Sequence, residues 1–264
     1  MATVYSHSRL GCFDNCPFSY KLRYLEKLRV DKDTIERFLG NTVHSTLEYT
    51  YQKVNFENVL PEKEKIAQYF NWLWKKDWKD SIVIVKKNKY DKEHYRSIGE
   101  KAITRYTERY YPFKQNKILG LEQKIEIKLD KKGEYKMTGI VDRIDETESG
   151  DVEIHDYKTG MTTPTQSAME EDKQLALYQI GVKEFAGDKK ITLMWHYLMS
   201  GVDFTVNKNE EQLEEIKKDT LLAIDEVESA KDFPKKPGPL CNYCEYFNHA
   251  DGKNGVICDG RSGS

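Results

Sequence analysis

Gly139-Ile140-Val141-Asp142-Arg143-Ile144-Asp145 and, after a short polar link, Ile154-His155-Asp156-Tyr157-Lys158-Thr159-Gly160 form the stretch from which the fold is read. The two halves read as two adjacent strands. Two residues apart on a strand, Asp156 and Lys158 share one side. Asp142 has the parity of Ile140 and Ile144, and Asp156 that of Val152 and Ile154. Both acids therefore fall on an aliphatic face, where bare carboxylates are costly. For the two faces to coincide, the turn at 146–150 must act as a link of odd length or carry a bulge, because a one-residue slip separates the acids. Two acids and an amine in a half-buried place suit a divalent cation with oxygen ligands, and an ammonium that handles anionic charge. The competing reading is two solvated acids on an edge hairpin.

The rest of the chain bounds what such a site can serve. At 264 residues, 38% hydrophobic and 33% charged, the composition is that of a soluble globular protein of one large domain. The longest apolar run, Ile82-Val83-Ile84-Val85, is far too short to span a membrane, and the first residues lack the pattern of a signal peptide. A cytoplasmic location is the resulting expectation. A net charge of −2 excludes a uniformly basic nucleic-acid coat but permits a local basic groove. The 17 tyrosines are read first as core residues and only second as base-stacking groups.

Periodicity predicts helices over 8–27 (broken near Pro17), 33–51, 61–78, 93–111, 167–185 and 209–231. Strands are predicted over 119–129, 135–145 and 151–157 as an antiparallel meander, then over 191–199 and 203–206. From Pro234 onward the chain is rich in Pro, Gly and Cys, so something other than an apolar core must hold it.

Two helical constellations stand out. Gly40, His44 and Glu48 follow one another at four-residue steps on one face, and a glycine in mid-helix suggests close approach of another group. His44 reads equally well as a metal ligand or as an ordinary histidine. Gln174 and Tyr178 repeat the four-residue step, and alone they read as two partly exposed helix residues. The five cysteines do not suggest a disulfide framework in a reducing compartment. Cys241-Asn242-Tyr243-Cys244 supplies one short pair, Cys258 follows, and Cys12 and Cys16 lie at the other end. Zinc usually draws on two short pairs, whereas one N-terminal and three C-terminal thiolates suit an iron–sulfur cluster; zinc stays the alternative.

In this order, the motifs resemble the PD-(D/E)XK nuclease superfamily, in particular its RecB-like, AddB-like branch with a C-terminal cysteine clip, which includes CRISPR-associated RecB-like exonucleases. The resemblance runs through Ser8-Arg9-Leu10, Phe13, Cys16-Pro17-Phe18-Ser19-Tyr20-Lys21 and Tyr24-Leu25. It continues through Gly40 to Glu48, Gly139 to Asp145, Asp156 to Gly160, Gln174 to Tyr178, and Cys241, Cys244 and Cys258. The gap from Cys244 to Cys258 exceeds the family's usual spacing, and Cys12 is an extra thiol. The resemblance implies an α/β (α+β) restriction-endonuclease-like mixed sheet flanked by helices. It further implies one domain over 1–264, a helical insertion over 53–117, and a clip formed by 234–258 with Cys16.

The same resemblance implies that His44, Asp142, Asp156 and the Tyr157 carbonyl hold Mg²⁺ or Mn²⁺. Asp142, Asp156 and Lys158 would be catalytic, with Gln174 and Tyr178 in support. Cys16, Cys241, Cys244 and Cys258 would hold a 4Fe-4S cluster. Glu122 is read as a solvated strand carboxylate rather than a contact to the metal, Glu48 as a neighbour of the ligands, and Asp145 as solvent-facing or salt-bridged. The implied function is a metal-dependent exonuclease on single-stranded DNA or DNA ends. Protein partners in recombination, DNA repair, phage or CRISPR adaptation are expected, and no membrane. The alternative is a DNA-binding or partner-docking module that keeps the fold without cleaving. Lys75-Lys76-Asp77-Trp78-Lys79 and Lys86-Lys87-Asn88-Lys89-Tyr90 interleave cations with rings, which fits either a single strand or a solvated amphipathic face.

Overall fold

The computed structural model describes residues 4–130, 132–250 and 255–260. Helices α1 (His7–Asn15) and α2 (Pro17–Tyr20) divide at Cys16, where Pro17 opens the second helix without needing a backbone donor. A wider helical turn, Lys21–Leu25, follows. Next come α3 (Ile35–Asn55), α4 (Lys63–Asp77) and α5 (Lys92–Tyr110). Strands β1 (Lys117–Lys128), β2 (Lys136–Glu146) and β3 (Val152–Lys158) lead to helices α6 (Gln166–Glu171) and α7 (Gln174–Ala186). Strands β4 (Ile191–Tyr197) and β5 (Val202–Val206) and helix α8 (Glu210–Ser229) complete the fold, before the short turn Pro239–Tyr243.

The five strands lie in chain order; β3 and β4 are parallel and the other neighbours antiparallel. The parallel pair needs a crossover, which α6 and α7 provide. The sequence pattern predicts one helix over 167–185, but the chain breaks at Asp172, whose backbone is extended and whose carboxylate takes the Gln174 N–H at 2.8 Å. Asp favours such a cap over a helix interior, and the break makes Gln174 the first residue of α7.

Each face of the sheet buries a cluster of its own. On one side α7 and α8 cover Val141, Ile144, Ile154 and Leu193. On the other, α3, α4 and α5 share a cluster with Ile118, Tyr157 and Leu198. α3 buries Ile35, Phe38, Leu39, Val43, Leu47 and Val54 at helical spacing. Thr42, Thr46 and Thr50 on the same face turn their hydroxyls back onto carbonyls one turn earlier, which satisfies all three inside the core. The rings of the two lysine-rich segments are occupied: Trp78 packs edge-on against Phe38 and beneath Lys92, and Tyr90 stacks on His94.

The link between β2 and β3 spans 147–151, an odd length, and pairs Glu146 with Val152. The ladder ends at Arg143 and His155; one step further along that register Asp142 faces Asp156. The parity of Ile140 with Asp142 and Ile144 does not carry through. Ile140 is 56% exposed, and Val141 is buried against α7 in its place. The strands splay here, and the Tyr157 N–H bonds the Asp142 carboxylate instead of a backbone carbonyl, so the alternation slips by one residue.

Candidate metal and catalytic centre

The splayed strands leave an open end, and α3 lies against it. A Cβ at Gly40 would stand 3.0 Å from Thr159 Oγ1, so the glycine lets the helix approach the exit of β3. One turn on, the His44 ring reaches between carboxylates and backbone. Its Nδ1 is 3.4 Å from Asp142 Oδ1 and its Nε2 2.8 Å from the Tyr157 carbonyl oxygen. The Tyr157 N–H donates to Asp142 Oδ2 at 2.6 Å. One residue, Tyr157, thus touches the acid through its N–H and the histidine through its carbonyl.

Asp156 is 5% exposed and Lys158 closes on it at 2.7 Å. Lys158 also donates to Gln174 Oε1 at 2.7 Å, while Gln174 Nε2 donates to Asp156 Oδ1 at 3.0 Å and to the Tyr178 hydroxyl at 3.2 Å. The amide therefore fixes the acid and the ammonium together. Its helix comes close because β2 carries Gly139: a Cβ there would lie 2.3 Å from the Tyr178 ring.

Glu122 departs from its sequence reading as a solvated strand carboxylate. It stands on β1 opposite Asp142, between the pairs Leu121 with Arg143 and Gln123 with Val141, and its Oε1 is 4.0 Å from His44 Nδ1. His44, Glu122 and Asp142 bring one ligand atom each within 4.8 Å of one another. A register shift between Ile118 and Gly120 disturbs the parity that a sequence reading would use. Glu122 also holds a φ of 44°, a strained value for a residue with a side chain. Glu48, Ser45 and Arg37 continue along α3 to line a trough of about 520 Å³ beside the site.

The electrostatics follow from three carboxylates in one place. Burial lowers the His44 pKa, but the hydrogen bond and charge of Asp142, with Asp156 and Glu122 beyond, outweigh it and raise the ring to about 9. Burial and the Asp142 charge push Glu122 up to about 7. Burial raises the Asp156 carboxyl, against the pull of Lys158. Lys158 itself is raised, because the Asp156 charge and hydrogen bond overcome its burial. Negative charge is in excess, and a hard cation would relieve it. Imidazole, carboxylates and a carbonyl are donors that Mg²⁺ and especially Mn²⁺ accept.

A second acidic group lies under α3 and α5, beside Tyr51 and Tyr106, where Asp145, Glu153 and His155 also converge. Asp145 is 3% exposed and takes both Arg143 Nε contacts, at 3.0 and 3.1 Å. Of its two expected placements, salt-bridged is the observed one. A guanidinium already fills the role of the cation there.

Apart from that centre, Cys12, Cys16, Cys241, Cys244 and Cys258 line one cavity of about 430 Å³ together with Arg23 and Lys236. The tail reaches it through polar bonds: Lys32 Nζ donates to the Cys244 and Phe247 carbonyls, Phe18 N to the Pro234 carbonyl, and Arg23 pairs with Glu245 at 3.1 Å. Tyr246, 1% exposed, is its main apolar anchor.

A mixed sheet whose paired strands splay to present two acids and a lysine, backed by a helical glutamine, defines a phosphodiesterase-type scaffold. The chain belongs to the PD-(D/E)XK nuclease superfamily, whose family model matches residues 4–248. Comparison with curated proteins returns no significant match. Membership carries the coarse function, that of a metal-dependent nuclease. Among the described residues, no helix is long and apolar enough to cross a membrane.

Proposed function

We propose that the protein is a Mg²⁺- or Mn²⁺-dependent deoxyribonuclease of the RecB-like branch, an exonuclease acting on single-stranded DNA or DNA ends. The observation that carries the reading is the meeting of His44 and Asp142 on the backbone of Tyr157, flanked by the ion-paired Asp156 and Lys158. His44, Asp142, Asp156 and the Tyr157 carbonyl would hold the ion, and Glu122 joins that set on its distance to His44. A bound divalent ion would supply a water of lowered pKa and charge neutralisation at the scissile phosphate. Lys158 pulls against the burial that raises Asp156 and presents its ammonium toward an entering phosphate oxygen. Gln174 holds both groups in place, and Tyr178 fixes Gln174. The preference for ends or single strands, and a setting in recombination, repair or CRISPR adaptation, rest on the family resemblance of the motifs.

A 4Fe-4S cluster on Cys16, Cys241, Cys244 and Cys258 belongs to the same proposal. Tetrahedral zinc at about 2.3 Å from each sulfur needs sulfurs about 3.8 Å apart. Among the described residues, neither group with ligand atoms within 4.8 Å of one another contains a cysteine. Arg23 and Lys236 line the cavity, and their charges suit the negative charge of a thiolate-held cluster.

End-labelled single- and double-stranded DNA incubated with Mn²⁺ tests the enzyme. Metal-dependent shortening is expected with wild type and its loss with Asp156→Ala; equal shortening by the variant would remove the site assignment. Binding without shortening would favour the non-cleaving module. Anaerobically prepared protein is expected to absorb near 400 nm, about where thiolate-bound iron absorbs; colourless protein with stoichiometric zinc would reverse the choice.

A further inference from the structure

Directly behind the metal-facing peptide lies a buried polar network that the proposed chemistry does not use. Arg143, 3% exposed, stands at its centre. Its Nε faces both Asp145 oxygens, its Nη2 lies 3.0 Å from His155 Nδ1, and Tyr51 lies under it at 4.2 Å. Its Nη1 donates to the hydroxyls of Tyr157 at 2.7 Å and Tyr106 at 2.9 Å. The chain continues from His155 Nδ1 to His196 Nε2 at 3.0 Å, and from His196 Nδ1 to Asp203 Oδ1 at 3.0 Å. Asp203 ends at the surface on Arg109, 3.0 Å away.

Burying a guanidinium, two carboxylates and two imidazoles under an apolar helix layer is costly, and aliphatic residues of similar volume would stabilise the fold as well. What the network does that aliphatic packing would not is fix a direction. Tyr157 belongs to both worlds: its ring lies in the network, its N–H holds Asp142, and its carbonyl faces His44. Turning the backbone at Tyr157 would move the N–H that holds Asp142, the carbonyl that faces His44 and the neighbouring Asp156 and Lys158 together.

We propose that Arg143, through the Tyr157 hydroxyl, is a positioning residue that sets the orientation of the Tyr157 backbone and thereby the affinity of the site for a divalent ion. The proposal rests on the metal reading of that site. Groups that orient metal ligands from behind are worth about 10- to 100-fold in affinity. Tyr106 supplies the control. Its hydroxyl accepts from the same guanidinium nitrogen, is also buried and donates to the Tyr157 hydroxyl at 3.3 Å, yet it belongs to α5, so its loss leaves the direct Arg143–Tyr157 bond in place.

Mn²⁺ titration of the whole protein by calorimetry, with thermal midpoints measured in parallel, separates the roles. Tyr157→Phe is expected to weaken Mn²⁺ binding about 10-fold, while Tyr106→Phe stays close to wild type and both lose similar thermal stability. Arg143→Lys, which keeps the charge but not the fork, is expected to weaken Mn²⁺ in the same direction and stands in if Tyr157→Phe does not fold. Unchanged affinity in Tyr157→Phe, or equal loss in the two tyrosine variants, would overturn the proposal. Wild type that binds no Mn²⁺ would instead overturn the metal reading, and this inference with it.

Discussion

Removing the Glu122 charge should stabilise the metal-free protein while weakening its hold on metal. The carboxyl titrates near 7 rather than 4.5 in the fold, chiefly through burial and the Asp142 charge. Each pH unit of such a shift is worth about 1.4 kcal/mol, so full ionisation would cost about 3 kcal/mol. The side chain is 35% exposed and solvent screens it, and His44 at 4.0 Å returns part of the loss. About 1 kcal/mol is the realistic remainder. The sign follows from the raised pKa. The carboxyl favours the fold at low pH, and that contribution is lost as pH rises from 4.5 to about 7. Glu122→Gln keeps the shape and the strained backbone. In EDTA at pH 8 its Tm should exceed that of wild type by about 2 °C, and the gain should shrink to about half at pH 5. With saturating Mn²⁺ the order should reverse, because wild type gains more from the ion. A variant no more stable than wild type at pH 8 in EDTA, or an equal gain at both pH values, would refute the electrostatic account.

Three further outcomes are expected. Because His44 is raised to about 9 from 6.5, its favourable contribution to folding is full below 6.5 and fades as pH rises through 9. Mn²⁺ binding at pH 7.5 must displace that proton, so the calorimetric heat should scale with the buffer's ionisation enthalpy; heats independent of buffer would contradict it. Gly139→Ala should cost about 1–3 kcal/mol in denaturant unfolding and impair cleavage, since its Cβ would meet the Tyr178 ring at 2.3 Å; wild-type stability would show that the ring moves freely. Gly99→Ala sets about 1 kcal/mol of helix propensity against a Cβ 2.5 Å from Phe70 and 2.6 Å from Leu39. The clash should win, and a stabilised variant would mean that α4 yields.

How far the site could be read in advance differs residue by residue. Asp156 and Lys158 were legible because period two on one strand is local geometry. The link at 147–151 fixed the register with Asp142 for the same reason. Gly40 and His44 share a helical face, yet nothing in α3 says that this face meets the end of β3. Glu122 was misread because a register shift between Ile118 and Gly120 is invisible in the alternation of β1. Ile140 was misassigned because the strands splay at Asp142, where a side chain replaces a backbone partner. Asp172, a helix breaker and cap in one residue, explains why a single predicted helix became two.

The sequence by itself determined the order of elements, the acid–lysine pair on β3, the odd link that carries Asp142 to its side, and the family those motifs resemble. These rest on short-range periodicity, which the chain carries at every position. Only the tertiary structure decided which acids share the site, that Gln174 clamps Asp156 to Lys158, that five thiols face one cavity, and that Arg143 lies behind Tyr157. Those facts depend on where distant elements meet. Excluded volume at Gly40 and Gly139 and charge pairing across the sheet set that meeting, and neither has a period to read.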